Sequence, residues 1–193
     1  MTTPRMVVIA GPPGGGKSTA FPVSGFGLHF FNADDAAATL NGGSYIGISL
    51  AVRSEVNRLF EAFILDHISR RESLAFETTL RTAITFDQMK LAKQAGFTTE
   101  MRYVALESFE MHARRVKMRA FRGGHSASET LLRGIWQQSM SNLGRAILET
   151  DQIEVYDNSL WGVLPTILLE ARQGEIIFQN ERLPAWLERA LPE

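Results

Sequence analysis

Strands alternating with helices along the chain predict an α/β fold: a parallel five-stranded sheet, with an extra edge strand at 175–179, flanked by helices. Three observations carry that prediction. Short apolar runs such as Met6-Val7-Val8-Ile9-Ala10 recur between stretches of helical period. Polar residues gather where the runs end, as at strand ends that border a site. The segment Gly11-Pro12-Pro13-Gly14-Gly15-Gly16-Lys17-Ser18 joins the first run to a helix start at Ser18-Thr19-Ala20.

In chain order, Leu28-His29-Phe30-Phe31 is a second strand, and Ala36 to Leu40 a short helix broken by Asn41-Gly42-Gly43-Ser44. Between Leu50 and Arg71, Val56, Leu59, Phe60, Phe63, Ile64 and Ile68 recur at three- and four-residue steps, a long amphipathic helix. Ser73 to Glu77 is the third strand, followed by the polar loop Thr78-Thr79-Leu80-Arg81-Thr82. Ile84 to Ala95 is helical and stops at Gly96. Met101 to Leu106 is the fourth strand, and a helix starts near Ser108. After Gly123-Gly124-His125, Ser126-Ala127-Ser128-Glu129 has capping-box spacing and opens a helix with Leu132, Ile135, Trp136, Leu143 and Ile147 on one face. Gln152 to Asp157 is the fifth strand, Leu160 to Ala171 is expected to be helical despite Pro165, Glu175 to Gln179 is an edge strand, and Pro184 to Ala190 a final short helix.

With 193 residues, 45% of them hydrophobic and 21% charged, the chain is expected to form a single domain over 1–193. The net charge of −1 gives no polyanion-binding signature, which counts against nucleic acid as a partner. The absence of cysteine excludes disulfides, thiolate metal sites and cysteine nucleophiles. No leader-like or membrane-spanning run is present, so a soluble cytoplasmic protein is expected, with no membrane partner. Lysine occurs only at 17, 90, 93 and 117, and arginine supplies the other 16 of the 20 basic residues.

Gly11 to Ser18 fits G-x-x-x-x-G-K-[ST] at every fixed position, the Walker A loop of nucleotide-phosphate sites. Its glycines let successive N–H groups point at a phosphate chain. Lys17 adds a charge at the transferring phosphoryl group, and the Ser18 hydroxyl is placed to ligate Mg²⁺. Asp34 or Asp35, after the second strand, could accept a proton from an acceptor hydroxyl, hold a metal through water, or in Asp34's case merely cap the helix. Glu77 suits either metal support or a grip on substrate hydroxyls. Arg115, Arg119 and Arg122 share one helical face beside Gly123-Gly124, which suits an arginine lid over about 114–128; a solvated basic face is the plainer alternative. Asp157-Asn158-Ser159 ends the fifth strand, where a nucleotide base often rests, although a simple turn is equally consistent.

Taken in order from about residue 6 to 159, several segments together resemble the zeta-toxin family of P-loop kinases, in particular its "GGH" zeta-like branch. They are Gly11 to Ser18, Phe31-Asn32-Ala33-Asp34, Phe76-Glu77-Thr78-Thr79-Leu80-Arg81-Thr82, Arg115 to Arg119 with Gly123-Gly124-His125, and Asp157-Asn158-Ser159. The resemblance implies a P-loop kinase fold with an arginine-rich helical lid. It implies Mg²⁺-dependent phosphoryl transfer from ATP or GTP to a hydroxyl of UDP-N-acetylglucosamine or a related metabolite. By position, Lys17 matches the phosphate lysine and Asp34 the catalytic base. Glu61, Glu77, Thr79 and Arg81, with Asp34, match substrate-side residues. Arg119 matches a lid arginine at the γ-phosphate, and Arg122 stands where a second would be. Gly11, Pro12, Pro13, Gly14, Gly15, Gly16, Lys17, Ser18 and Thr19, with Asn158, form the implied nucleotide site, and Ser18 the metal ligand. The resemblance also raises an antitoxin protein as a partner. Asn32 departs from the family by replacing the first acid of its D-x-D. Two other readings stay open on residues alone: a nucleic-acid end kinase, and a nucleotide-binding switch with little turnover.

Overall fold

In the first strand, β1 (Arg5–Ala10), Met6, Val8 and Ala10 turn to one face and Val7 and Ile9 to the other, and all five are fully buried. A strand apolar on both faces belongs at the centre of a sheet. The computed structural model, which describes residues 2–121 and 127–191, places it there. The other strands are β2 (His29–Phe31), β3 (Leu74–Thr78), β4 (Thr98–Ala105), β5 (Gln152–Asp157), β6 (Thr166–Arg172) and β7 (Glu175–Gln179). Among the described residues they form one sheet in the order β2-β3-β1-β4-β5-β6-β7. The first five strands in sequence run parallel, and β6 and β7 extend the sheet antiparallel.

The main core packs α3 (Leu50–Arg70), α4 (Ile84–Gln94), α6 (Glu129–Ser141), α7 (Leu143–Glu149) and α8 (Ala185–Glu188) on the Met6 face. On the Val7 face, Phe21, Val23, Phe26 and Leu28 cover Val7, Ile9 and Ala75 from the short segment between α1 (Lys17–Ala20) and β2. A third cluster joins α5 (Phe109–Phe121) to α6 through Phe109, Ala113, Val116 and Leu132. Side chains cap the starts of three helices. Asn32 caps α2 (Ala33–Leu40), Ser49 caps α3, and Ser128 caps α6 by accepting from the Leu131 N–H at 3.3 Å. The α6 cap therefore falls two residues after the Ser126 that opens the capping-box spacing; Ser126 lies outside the described residues.

Two expectations need correction. The single helix expected after Glu129 is two, divided at Asn142, whose amide donates to the Leu80 carbonyl at 2.9 Å. Leu160 to Ala171 is not a helix. Residues 166–172 form β6, and the preceding stretch carries no helix. The reason lies just beyond: Gln173 and Gly174 have φ of 51° and 84°, the sign a two-residue type I′ hairpin demands at both central positions. That turn folds β7 back on β6, and β6 satisfies its other edge on β5. At Gly174 a side chain would be strained, and its Cβ would stand 3.3 Å from the Leu148 carbonyl oxygen. Gly174→Ala is expected to cost about 1–2 kcal/mol in urea unfolding, while Gln173→Asn, with a residue tolerant of positive φ, stays within about 0.5 kcal/mol of the parent. Equal stability of Gly174→Ala and the parent would contradict this account of the turn.

Candidate active site

Ala10 delivers the chain to the carboxyl end of β1, between β3 and β4, where the strand order reverses and ligands bind in open α/β sheets. Residues 11–16 fold back over the strand ends here. Gly11 has φ 132°, and an added Cβ would stand 2.1 Å from the Val104 carbonyl oxygen. Gly16 has φ 83°, and its Cβ would stand 2.4 Å from the Asn158 amide nitrogen. Neither position accepts a side chain, so the loop approaches β4 and the end of β5 on bare backbone.

Lys17 is buried within that turn. Its ammonium donates to the carbonyls of Gly11 (2.8 Å) and Pro12 (3.1 Å) and lies 3.5 Å from Glu77 Oε1. Burial pushes its pKa down. The Glu77 carboxylate opposes that shift, the Arg119 charge adds to it, and the Asp34 charge opposes it. The Ser18 hydroxyl donates to Glu77 Oε2 at 2.9 Å. Glu77 thus joins the phosphate-loop lysine and serine from the end of β3. A serine hydroxyl beside a carboxylate is the hard-oxygen set that Mg²⁺ prefers, so these residues fit that ion.

Two side chains, His112 and Asn158, hold the loop from outside, and residue patterns alone did not single out the first. His112 on α5 is buried; its Nε2 accepts from the Leu106 N–H at 3.0 Å. That fixes the proton on Nδ1, which donates to the Pro13 carbonyl at 2.9 Å. Burial, with the charges of Lys17 and Arg115, lowers its pKa to about 4 against the Pro13 hydrogen bond. Asn158 takes the Ala105 carbonyl with its N–H and gives its amide to the Gly15 carbonyl, both at 2.9 Å. Arg115, expected in the lid row, is committed elsewhere. Its Nη2 donates to the carbonyls of Asn158 (2.8 Å) and Ser159 (3.0 Å), and its guanidinium stacks 4.7 Å over the Trp161 ring. It ties α5 to the segment after β5.

On the side of β2, the Asn32 side chain accepts the N–H groups of Asp34 (3.0 Å) and Asp35 (3.3 Å). This explains Asn32 physically: a cap can use an amide oxygen as well as a carboxylate. Asp34 sits exposed in the first turn of α2, where its charge acts on Lys17, while Asp35 accepts from the Tyr45 hydroxyl at 2.8 Å. In the loop after β3, Leu80 has φ 55° and is fully buried, with its N–H on Thr78 Oγ1 at 3.2 Å. A buried leucine at positive φ is an uncommon anchor; it leaves Thr79 half-buried and Arg81 exposed on either side. Arg119 is exposed on α5. Glu61 is exposed on α3, and no hydrogen bond or ion pair brings it to Lys17, Ser18 or Glu77. Arg122, Gly123, Gly124 and His125 lie outside the described residues, as does most of the second half of the expected lid.

The His112 geometry has a pH signature. The folded state keeps this ring neutral to about pH 4, whereas an unfolded histidine takes its proton near 6.5. Between those values the unfolded chain binds more protons, so stability is intact above about pH 6.5 and falls as pH drops toward about 4, by roughly 3 kcal/mol from this residue. Urea unfolding of the parent and His112→Gln across that range should show the variant losing this part of the slope. Parallel curves would contradict the assignment.

No protein-family model matches the chain. An uncharacterized protein of Haemophilus influenzae is 26% identical over 137 residues, covering 67% of this chain and 90% of that protein. Among solved structures, a chain of the native AvrRxo1-ORF1:AvrRxo1-ORF2 complex superposes with a TM-score of 0.74 at 18% identity, over 99% of this chain and 65% of the other. The same complex with ATP gives 0.70 at 18% identity, over 90% and 60%. The chain therefore spans a little under two thirds of the AvrRxo1 chain's length. A chain of the PezAT chromosomal toxin-antitoxin system of Streptococcus pneumoniae gives 0.61 at 14% identity, over 99% of this chain and 78% of that one. The chain thus shares the fold of the AvrRxo1 and PezAT chains.

Proposed function

We propose that the protein is an ATP- and Mg²⁺-dependent small-molecule kinase that transfers the γ-phosphate to a hydroxyl of a sugar nucleotide, UDP-N-acetylglucosamine or a related metabolite. The observation that carries this reading is the convergence of Lys17, Ser18 and Glu77 at one strand end, with Asp34 and Arg119 close enough for their charges to act on Lys17. A nucleotide-binding switch needs the loop but not an acid on its acceptor side. The kinase fold and the ATP in the AvrRxo1 complex support the choice of ATP as donor.

In this reading Lys17 exchanges the Gly11 and Pro12 carbonyls for phosphate oxygens, and the loop N–H groups cradle the β-phosphate. Ser18 and Glu77 would hold Mg²⁺. Bound there, the ion would neutralise charge building on the phosphate oxygens. Asp34 accepts the acceptor hydroxyl's proton as the oxygen attacks phosphorus. Arg119, with Arg122 as its proposed companion in the lid, balances charge on the transferred group. Thr79 and Arg81 line the acceptor side with Glu77, and Glu61 is assigned there by resemblance. Asn158 borders the nucleotide beside the loop. A protein partner of the antitoxin type is proposed on the same footing, since PezAT belongs to a toxin-antitoxin system. The domain is read as single over 1–193, and the compartment as cytoplasmic; no described helix is long and apolar enough to cross a membrane.

Transfer of labelled γ-phosphate from ATP to UDP-N-acetylglucosamine tests the reading. Lys17→Ala and Asp34→Asn are each expected to lower kcat/KM by about 100-fold or more, Asp34→Asn with ATP affinity unchanged. Labelling of another metabolite, lost in both variants, would keep the kinase and discard the sugar nucleotide. ATP binding without transfer to any metabolite, or parental activity in Asp34→Asn, would overturn the proposal.

A further inference from the structure

The far end of the sheet, away from the phosphate loop, holds a second cluster. His29 opens β2, His67 lies in the last turn of α3, and Glu72 sits in the turn before β3. Parallel pairing of β2 with β3 sets His29 opposite Leu74, two residues beyond Glu72. The Glu72 N–H in turn bonds the His67 carbonyl at 3.0 Å, closing the helix onto the strand. One nitrogen from each ring and one Glu72 oxygen lie within 4.8 Å of one another.

The orientation of His67 is fixed. The residue is 7% exposed, and its Nδ1 donates to the Phe63 carbonyl at 2.8 Å. Nε2 therefore carries a lone pair, aimed at His29 Nδ1 3.0 Å away. A backbone carbonyl on the far nitrogen is the usual support of a metal-bound histidine. The Phe63 ring, 4.1 Å from the His67 ring, packs against it and restricts its rotation. Glu72 Oε2 stands 3.8 Å from the same His29 nitrogen, too far to share its proton as a hydrogen bond. One proton on His29 can serve His67 alone, and the carboxylate is left turned toward the pair. Two ligands at Zn–N distances of about 2.0–2.1 Å on a tetrahedral ion lie about 3.3 Å apart. Two of the three separations, 3.0 and 3.8 Å, fall on either side of that value, and the third is within 4.8 Å.

We propose that His29, His67 and Glu72 form a zinc site, with two imidazole nitrogens and one carboxylate oxygen as ligands and water completing the tetrahedron. Imidazole donors select Zn²⁺ over the Mg²⁺ assigned to the phosphate loop. Its consequence is mechanical. Among the described residues β2 is a three-residue edge strand paired only with β3, and its first and second residues are exposed. An ion shared with α3 and the turn before β3 pins the start of that strand, while the helix with Asp34 follows its end. Loading is independent of phosphoryl transfer, so the test does not rely on the proposed function.

Isothermal titration of tag-free, full-length protein with Zn²⁺, beside thermal unfolding with and without the ion, tests the site. The parent is expected to bind one Zn²⁺ saturably and to unfold at a higher temperature when loaded. His29→Ala and Glu72→Gln change exposed side chains, so both should fold, yet each should weaken binding at least about tenfold and remove the thermal shift. A tenfold excess of Mg²⁺ should not displace the ion. Absence of saturable binding by the parent, or parental affinity in either variant, would overturn the proposal.

Discussion

A buried ammonium group governs the end of this molecule where β1 meets the glycine-rich loop. Lys17 is 6% exposed and cannot sit there unless its donors are met, and the atoms that meet them are carbonyls of its own loop together with one carboxylate. For the loop to offer those carbonyls it must double back within six residues, against the backbone of β4. Glycine at 11 and 16 follows from that path rather than from any general need for flexibility. Glu77 follows too: it is the counter-charge, and it arrives on β3 because β3 is the immediate neighbour of β1.

The same requirement explains the ring of supports. A loop of carbonyls turned inward has further carbonyls turned outward, and each needs a donor. Pro13 receives the His112 Nδ1–H and Gly15 the Asn158 amide. His112 in turn absorbs the Leu106 N–H at the end of β4, so one ring satisfies a donor and an acceptor on two different segments. Arg115 extends the arrangement to the carbonyls of Asn158 and Ser159. The helix bearing Arg119 is thereby tied to the loop through His112 and to the segment after β5 through Arg115.

What the chain disclosed on inspection was local chemistry. The loop motif and the strands at 152–157 and 175–179 were legible because each depends on neighbours a few residues away. Non-local partners were not. Nothing near His112 announces that it will reach Pro13, and the helical spacing of Arg115 with Arg119 concealed that the two have different tasks. Asn142 breaks a continuous amphipathic stretch because its amide reaches the Leu80 carbonyl, sixty-two residues away. The error at 160–171 has a similar origin. Ile167, Leu168, Leu169 and Ala171 are compatible with either period, and the deciding feature was Gln173-Gly174, a weak turn pair in sequence but one with positive φ at both positions. His29, His67 and Glu72 went unnoticed for the same reason, being brought together by strand pairing rather than spacing.

In the kinase reading proposed above, the donor and acceptor sides of the site are built to different standards, and the difference bears on specificity. The donor side rests on β1 and β4, which are almost entirely buried and locked by backbone approaches that leave no room for a side chain. The acceptor side rests on a three-residue edge strand, a capped eight-residue helix with Asp34 in its first turn, and a loop pinned by one buried leucine. Geometry on the donor side is set by the core and resists change. On the acceptor side it is set by a few individual anchors, Asn32, Leu80 and Asn142. A fold divided in this way can keep one phosphate-binding apparatus and accept different hydroxyl substrates by altering those anchors and the residues they present. In that reading, the choice of acceptor is to be sought in the orientation of Thr79 and Arg81 around Leu80, and in the distance from Asp34 to the loop, rather than in the Walker motif.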